Sequence, residues 1–296
     1  MLAGILYGIG AALLQSISYI CSAAFIARFN CGAVAHLSLT HLLIGAVSLL
    51  ALPLLWHPAA VHLDRYWLPL LAAAFCYLVG QLSLYQAIRH SLASRVSPLL
   101  GLKVLVLALM GTFWFAEQYQ ALQWAGVGLC VLCAFWLSAS GGRISSRALL
   151  WVIAACIGYA LSDLSILYLM RAFDQLALLH AAGLSVALVY ILCGLGSLLL
   201  WPRLKERGLL LHSAPAALSW LAGMLFLFAC FAEIGVVFGG IVQSSRGLIS
   251  IALALLLSLA GWRFAETLPP ARVFWQRLAA SVLMLGAIGL FSLGAD

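Results

Sequence analysis

Four ionisable side chains lie inside long apolar segments of this chain, and they are Lys103, Asp163, Glu233 and Arg246. A charged aspartate near the centre of a membrane span costs about 2.5–3.5 kcal/mol on insertion scales, so it must be paired, hydrated or protonated. Ionisable residues at such depth commonly serve proton relays and substrate pathways. We therefore interpret Asp163 and Glu233 as candidate coupling residues that exchange a proton. The alternative is a structural network in which the two acids and the two bases neutralise one another.

Polar side chains recur at the spacing of a single helix face in several of these segments. The faces are Gln15, Ser18, Tyr19 and Ser22; Tyr77, Gln81 and Tyr85; Ser94, Ser97 and Gly101; Tyr159, Ser162 and Asp163; and Gln243, Arg246 and Ser250. Because lipid-facing positions would be apolar, we expect such faces to line a shared interior. The predicted cavity and substrate-binding residues are Gln15, Ser18, Tyr19, Tyr77, Gln81, Tyr85, Tyr159, Ser162, Asp163, Glu233, Gln243 and Arg246. For the serines alone, hydrogen bonding between helices is the favoured interpretation.

Three histidines, His36, His41 and His180, lie near the starts of apolar segments. They either line the cavity or cap a helix at the membrane interface. The pair Cys130 and Cys133 has no second ligand pair at metal-binding spacing, so we interpret these cysteines as packing residues. We expect neither a metal nor another cofactor.

The elements that position these residues follow from composition. The chain is 66% hydrophobic and 8% charged, against roughly 45–50% and about 25% in a typical soluble domain. A spanning helix needs about 20 apolar residues, and uniformly apolar runs do not fit a barrel. We predict an all-α integral membrane protein in the lipid bilayer, with about ten transmembrane helices. The predicted spans are 2–27, 33–56, 66–88, 96–115, 120–139, 148–170, 176–200, 214–237, 239–262 and 273–293.

The two halves of the sequence resemble each other, which indicates an internal repeat. A shift of about 144 residues places Ser18 on Ser162 and His36 on His180, and a shift near 149 places Glu117 on Glu266. We predict two five-helix repeats, residues 1–141 and 142–296, within one membrane domain. Because each repeat has an odd number of helices, the second enters the membrane from the opposite side, as in many secondary transporters. Glu117 and Glu266 are expected to anchor span ends at the membrane surface.

Basic residues predict the orientation. Eleven of the 15 Lys and Arg residues follow odd-numbered spans, namely Arg28, Arg89, Arg95, Arg143, Arg147, Arg203, Lys205, Arg207, Arg263, Arg272 and Arg277. Only Arg65 and Arg171 lie on the opposite side. Since basic loops stay cytoplasmic, we expect both termini on the non-cytoplasmic side, in a bacterial inner membrane.

Spans 5 and 10 lack polar faces and carry small residues instead. Gly126 and Gly128 lie in span 5, whereas Gly286 and Gly289 lie in span 10. Small residues suit close helix packing. They predict either packing within the chain or a homodimer formed through these two spans.

At this point the pattern resembles the drug/metabolite transporter superfamily in its ten-helix EamA-type form. The resemblance is carried by the duplicated five-helix unit, the small-residue passage 87–99 between spans 3 and 4, and the acids Glu117 and Glu266. The family usually has Gly-Glu where this chain has Ala116-Glu117 and Ala265-Glu266. The resemblance implies a central cavity formed mainly by helices 1, 3, 4, 6, 8 and 9, with helices 5 and 10 as outer support. It also implies cytoplasmic termini, against the count of basic residues.

These observations predict a secondary transporter rather than an enzyme. It would move a small metabolite, such as an amino acid or a related amphipathic compound, outward by alternating access, coupled to protons or by exchange. No Gly-x-x-x-x-Gly-Lys loop is present in the sequence to bind ATP phosphates, and no nucleic-acid partner is expected. The alternatives are an intramembrane lipid-modifying enzyme using His36, His180 or Asp163, and a membrane scaffold that transports nothing.

Overall fold

The computed structural model describes residues 1–91, 96, 99–139, 145–201, 205–246, 249, 250, 252, 253, 256 and 271–294. Every regular element within these residues is helical. In chain order the α-helices are Leu2–Phe29 (α1), Ala33–Leu55 (α2), Trp67–His90 (α3), Leu102–Phe115 (α4), Ala121–Ala139 (α5), Ser146–Arg171 (α6), Leu178–Leu198 (α7), Ala214–Ile234 (α8), Val236–Gln243 (α9) and Ala271–Leu293 (α10). Beyond α9, helical residues occur at 246, 249, 250, 252, 253 and 256.

Seven of the described helices are long and apolar enough to cross a membrane. They are α1, α2, α3, α5, α6, α7 and the stretch Leu211–Ile234, which contains α8. Shorter apolar helices occupy Leu102–Trp114, within α4, and Leu278–Leu293, within α10. The sequence prediction of an all-helical membrane protein is confirmed.

Two of the helix boundaries that differ from the predicted spans lie beside glycines. The fourth span was expected from residue 96, but α4 begins at Leu102, directly after Gly101. The eighth was expected to reach residue 237, but α8 ends at Ile234. Gly235 has φ 75° and ψ 168°, a backbone conformation that is easily adopted only by glycine. The chain therefore turns there although the residues that follow are apolar.

Helices pair across the two halves of the chain. The most extensive contacts join α1 with α8, α3 with α6, α2 with α7 and α5 with α10. In two five-helix repeats, α1 corresponds to α6 and α3 corresponds to α8. The α1–α8 pair and the α3–α6 pair are therefore equivalent, as expected for two repeats related by a two-fold axis. The Ser18 hydroxyl donates to the Ala216 carbonyl at 2.8 Å, and the Ser162 hydroxyl donates to the Ala73 carbonyl at 2.8 Å. The boundary near residue 141 lies outside the described residues and stays a prediction.

Glycines let two of these pairs approach at backbone distance. A Cβ added to Gly158 of α6 would lie 2.9 Å from the Cys76 carbonyl oxygen and 2.9 Å from the Gly80 Cα of α3. Likewise a Cβ on Gly45 of α2 would lie 2.9 Å from the Gly194 Cα of α7. Both contacts are backbone to backbone, so side chains at these glycines would separate the helices.

Of the two glycines in span 5, Gly126 packs against another helix of the chain. A Cβ on Gly126 would lie 2.9 Å from the Ala287 carbonyl oxygen of α10 and 3.3 Å from the Phe291 Cβ. Gly128 has no atom within 4 Å of the corresponding position among the described residues. A homodimer through spans 5 and 10 stays a prediction.

Candidate functional site

A buried ion pair joins α4 to α6. The Lys103 Nζ lies 2.6 Å from the Asp163 Oδ2, and the two side chains are 13% and 9% exposed. Lys103 Nζ also donates to the Gln243 Oε1 of α9 at 3.1 Å. Three helices therefore meet at one ammonium group, whose charge is neutralised by Asp163.

Gln243 links this pair to Arg246. Its Nε2 donates to the Gln15 Oε1 of α1 at 3.0 Å, and an Arg246 terminal nitrogen donates to the same oxygen at 3.1 Å. The guanidinium carbon lies 5.1 Å from the centre of the Tyr19 ring, a cation–π arrangement. Arg246 thus contacts neutral groups, and no carboxylate pairs with it among the described residues.

This polar cluster lies deep in the bundle. Gln15 occupies the middle of the 28-residue helix α1 and is fully buried. Asp163 lies eight residues before the end of α6, and Gln243 lies seven residues after the start of α9. At such depth an uncompensated guanidinium is costly. Arg246 is consequently the group in this cluster best placed to attract an anion.

Aromatic side chains from other helices form a second hydrogen-bonded group. The Tyr77 hydroxyl lies 3.0 Å from the His41 Nε2 and accepts a bond from Gln81 Nε2 at 2.9 Å. The Trp220 Nε1 donates to the Tyr190 hydroxyl at 2.6 Å. The Tyr77 and Tyr190 ring centres lie 6.0 Å apart, so α2, α3, α7 and α8 converge on one buried cluster.

The aromatic group continues to Arg246. Tyr77 packs against Tyr159 at 6.2 Å between ring centres, and Tyr19 lies under the Arg246 guanidinium. On the other side, Tyr19 packs edge-on against Trp220 at 5.8 Å. Tyr19 is 45% exposed. The polar cluster and the aromatic cluster are therefore neighbours and together supply cationic, amide and flat apolar surface.

Not every predicted residue joins these clusters. Ser18 and Ser162 bind helices together through the carbonyl bonds described above, the interpretation favoured for the serines. Glu233 is the penultimate residue of α8 and is exposed, so it is not part of the polar cluster. Ser94, Ser97 and Glu266 lie outside the described residues.

Glu233 instead lines a cavity of about 640 Å³ at the end of the bundle that carries Met1. Glu117, Arg171 and Asp174 also line it. The Tyr119 hydroxyl donates to the Glu117 carboxylate. Burial raises the pKa of Tyr119, and the Glu117 carboxylate raises it further, so the hydroxyl keeps its proton at neutral pH.

Some contributing residues escaped the sequence prediction. The sequence identifies Lys103 as an intramembrane base, but the predicted cavity residues do not include it. Ser16 was missed as well, and it accepts a bond at 3.0 Å from Ser250. Trp220 and Tyr190 gave no signal, because aromatic residues in an apolar run do not stand out from lipid-facing ones. Among the described residues, no group of three His, Cys, Asp or Glu side chains could hold a metal.

Comparison with known proteins agrees with this architecture. The model of the EamA-like transporter family matches residues 2–139. A crystal structure with 16% sequence identity has a TM-score of 0.66 and covers 98% of this chain and 96% of its own. At that identity the likeness concerns the fold alone. No curated protein sequence matches the chain. Over residues 2–139 the chain is thus similar to the EamA-like transporter family, which is part of the drug/metabolite transporter superfamily.

Proposed function

We propose that this membrane protein is a secondary transporter that moves a small metabolite carrying an anionic group, such as an amino acid or a related amphipathic compound. It works by alternating access around the polar cluster and the aromatic cluster, and it moves its substrate outward. A bacterial inner membrane is the proposed location.

The observation that carries the proposal is the setting of Arg246. Its guanidinium is bound by Gln15 and Tyr19, both neutral, while the nearby Lys103 is already neutralised by Asp163. Arginine binds carboxylates through paired, charge-assisted hydrogen bonds. A substrate carboxylate would supply the missing counter-charge, and it would do so only while the substrate is bound.

The aromatic cluster supports an apolar part of the substrate beside that anionic group. Tyr19 contacts both Arg246 and Trp220. A ligand bound to the guanidinium would therefore lie directly beside aromatic side chains. Ligand sites combine apolar walls with a few polar groups that fix orientation. This arrangement favours an amphipathic substrate over a purely polar one.

Coupling is assigned to Asp163, with Glu233 as a second candidate nearer the end of the bundle. A proton taken up by Asp163 would release Lys103, which holds α4, α6 and α9 together through Asp163 and Gln243. Protonation would thereby loosen contacts between helices during the cycle. Substrate exchange without protons is the alternative mode.

A binding experiment with matched ligands tests the proposal. Purified protein in detergent is screened against amphipathic amino acids and against their amides, which lack the carboxylate. We expect a carboxylate ligand to bind at least tenfold more tightly than its amide in wild type, and Arg246→Gln to abolish that preference. Arg147→Gln alters an exposed arginine at the start of α6 and serves as the control.

Transport is then measured in liposomes with the tightest ligand. Uptake by wild type and Arg147→Gln, with loss in Arg246→Gln, is the expected result. Equal binding of acid and amide by wild type would contradict the assignment of Arg246, and binding without uptake would contradict transport.

A further inference from the structure

His180 holds the end of its neighbouring helix. Its Nε2 lies 2.8 Å from the carbonyl oxygen of Leu55, the last residue of α2. Carbonyl groups at a helix end have no partner within the helix, so His180 of α7 satisfies one of them. The imidazole also packs edge-on against His57 at 6.1 Å between ring centres.

The other end of the α2–α7 pair brings the start of α2 close to the end of α7. α2 and α7 run antiparallel, because Leu55 meets His180 at one end and Gly45 meets the Tyr190 carbonyl further along. Continuing this register towards the start of α2 brings His36 opposite Leu199, the residue that caps the end of α7. The repeat in the sequence gives the same correspondence, since a shift of 144 places His36 on His180 and Leu55 on Leu199.

His36 nevertheless makes no equivalent bond. It is 5% exposed, and its Nδ1 is buried without a hydrogen-bond partner among the described residues. The other ring nitrogen lies 3.5 Å from the Thr40 hydroxyl, and the ring packs on Phe25 at 4.6 Å between centres. Buried polar atoms without partners are rare and call for an explanation.

Two further polar atoms on this helix pair are buried without a hydrogen-bond partner among the described residues. They are the hydroxyls of Ser48 in α2 and Ser185 in α7. Both serines lie in the half of the helix pair nearer Leu55, so the difference between the two ends rests on the histidines. His180 binds a helix-end carbonyl, whereas the Nδ1 of His36 binds no described atom. That asymmetry is expected of a two-fold duplicated pair seen in one of two conformations.

We propose that His36 and His180 are positioning residues that bind helix ends in turn during the transport cycle. In the conformation described here, His180 holds the end of α2. In the opposite conformation, His36 binds a carbonyl at the end of α7 and the bond between His180 and Leu55 is broken. The inference rests on the proposed alternating-access function and adds to it the contacts that distinguish its two states.

Amide hydrogen exchange of the full chain in lipid nanodiscs, without any substrate, tests this proposal. His180→Phe removes the bond to Leu55, so exchange should rise in the last turn of α2 and in residues 56–66. The population should shift to the opposite conformation, in which His36 protects the last turn of α7. Exchange there and in residues 205–213 should fall. We expect roughly three- to tenfold changes, the shift in equilibrium that a single hydrogen bond supplies.

His36→Phe should act in the opposite direction, with exchange lower at the end of α2 and higher at the end of α7. Gln in place of either histidine keeps a hydrogen-bond donor and should restore much of the wild-type pattern. If each phenylalanine variant only raised exchange at its own helix end, the histidines would be static caps and the proposal would be wrong. Because the readout needs no substrate, its failure is distinct from a failure of the Arg246 binding test.

Discussion

Lys103 and Asp163 form a buried ion pair, with Nζ 2.6 Å from Oδ2. Removing one partner of such a pair leaves an uncompensated charge, which costs about 3–5 kcal/mol. We therefore expect Asp163→Asn to lower the free energy of unfolding by that amount, measured by denaturant titration in detergent. The exposed Asp174→Asn is the control.

The double variant Lys103→Met with Asp163→Asn separates stability from coupling. Because both charges are gone, its stability should return to within about 1–2 kcal/mol of wild type. If Asp163 carries the coupling proton, this stable protein should exchange substrate across liposomes yet fail to accumulate it along a pH gradient. Accumulation equal to wild type would exclude Asp163 as the coupling residue.

Gly158 is expected to be intolerant of even one methyl group. In Gly158→Ala the new Cβ would lie 2.9 Å from the backbone of α3, so α3 and α6 must separate. We expect a loss of about 1–3 kcal/mol in the free energy of unfolding, in the range observed for overpacked cores. Gly128→Ala in α5 meets no described atom within 4 Å and should be neutral or slightly stabilising. Equal effects of the two variants would show that the α3–α6 contact is not tight.

Ala116 adopts φ 52° at the end of α4, and the Glu117 N–H bonds to the Gly111 carbonyl at 3.0 Å. This is the glycine-type helix end, and a left-handed conformation costs a residue with a Cβ about 1–2 kcal/mol. Ala116→Gly should thus raise stability by roughly 1 kcal/mol. Asn30→Gly, at φ 47°, should gain less, since asparagine tolerates this region. No gain in Ala116→Gly would contradict the assigned backbone.

The positions of the basic residues predict that both termini lie outside the cytoplasm. A reporter that is active only in the cytoplasm, fused after Asp296, should give no signal, whereas the same reporter inserted after Arg207 should give a strong one. The reverse result, with substrate transport retained, would invert the orientation and leave the helix arrangement unchanged.

Helical periodicity predicted much of the site. The faces containing Gln15, Asp163 and Gln243 were recognised because their spacing is local to one helix, and the structure brings these three residues to one network. The sequence could not predict which base pairs with Asp163, because Lys103 and Arg246 are both basic residues inside apolar segments. Only the packing of α4 against α6 and of α9 against α1 distinguishes them.

The position of Glu233 illustrates a second limit. It lies within an apolar run that continues past it, and the sequence therefore predicts that it lies inside a membrane span, among the cavity residues. The left-handed backbone at Gly235 ends α8 two residues later, which places the carboxylate at the cavity near Met1. A glycine's φ depends on the contacts around it, and the sequence pattern does not contain them.

The pairing of helices across the halves has a consequence for biosynthesis. α1 packs chiefly on α8 and α3 chiefly on α6, so the first helices enter the membrane before their partners exist. Synthesis proceeds at about 5–20 residues per second, and roughly 10–40 s therefore separate α1 from α8. Throughout that interval the Ser18 hydroxyl lacks the Ala216 carbonyl that it later binds. The nascent first half is thus an unfinished bundle whose polar faces are exposed to lipid, and the second half acts as its folding partner. Two halves made as separate chains should find each other in the membrane, whereas neither should be stable alone.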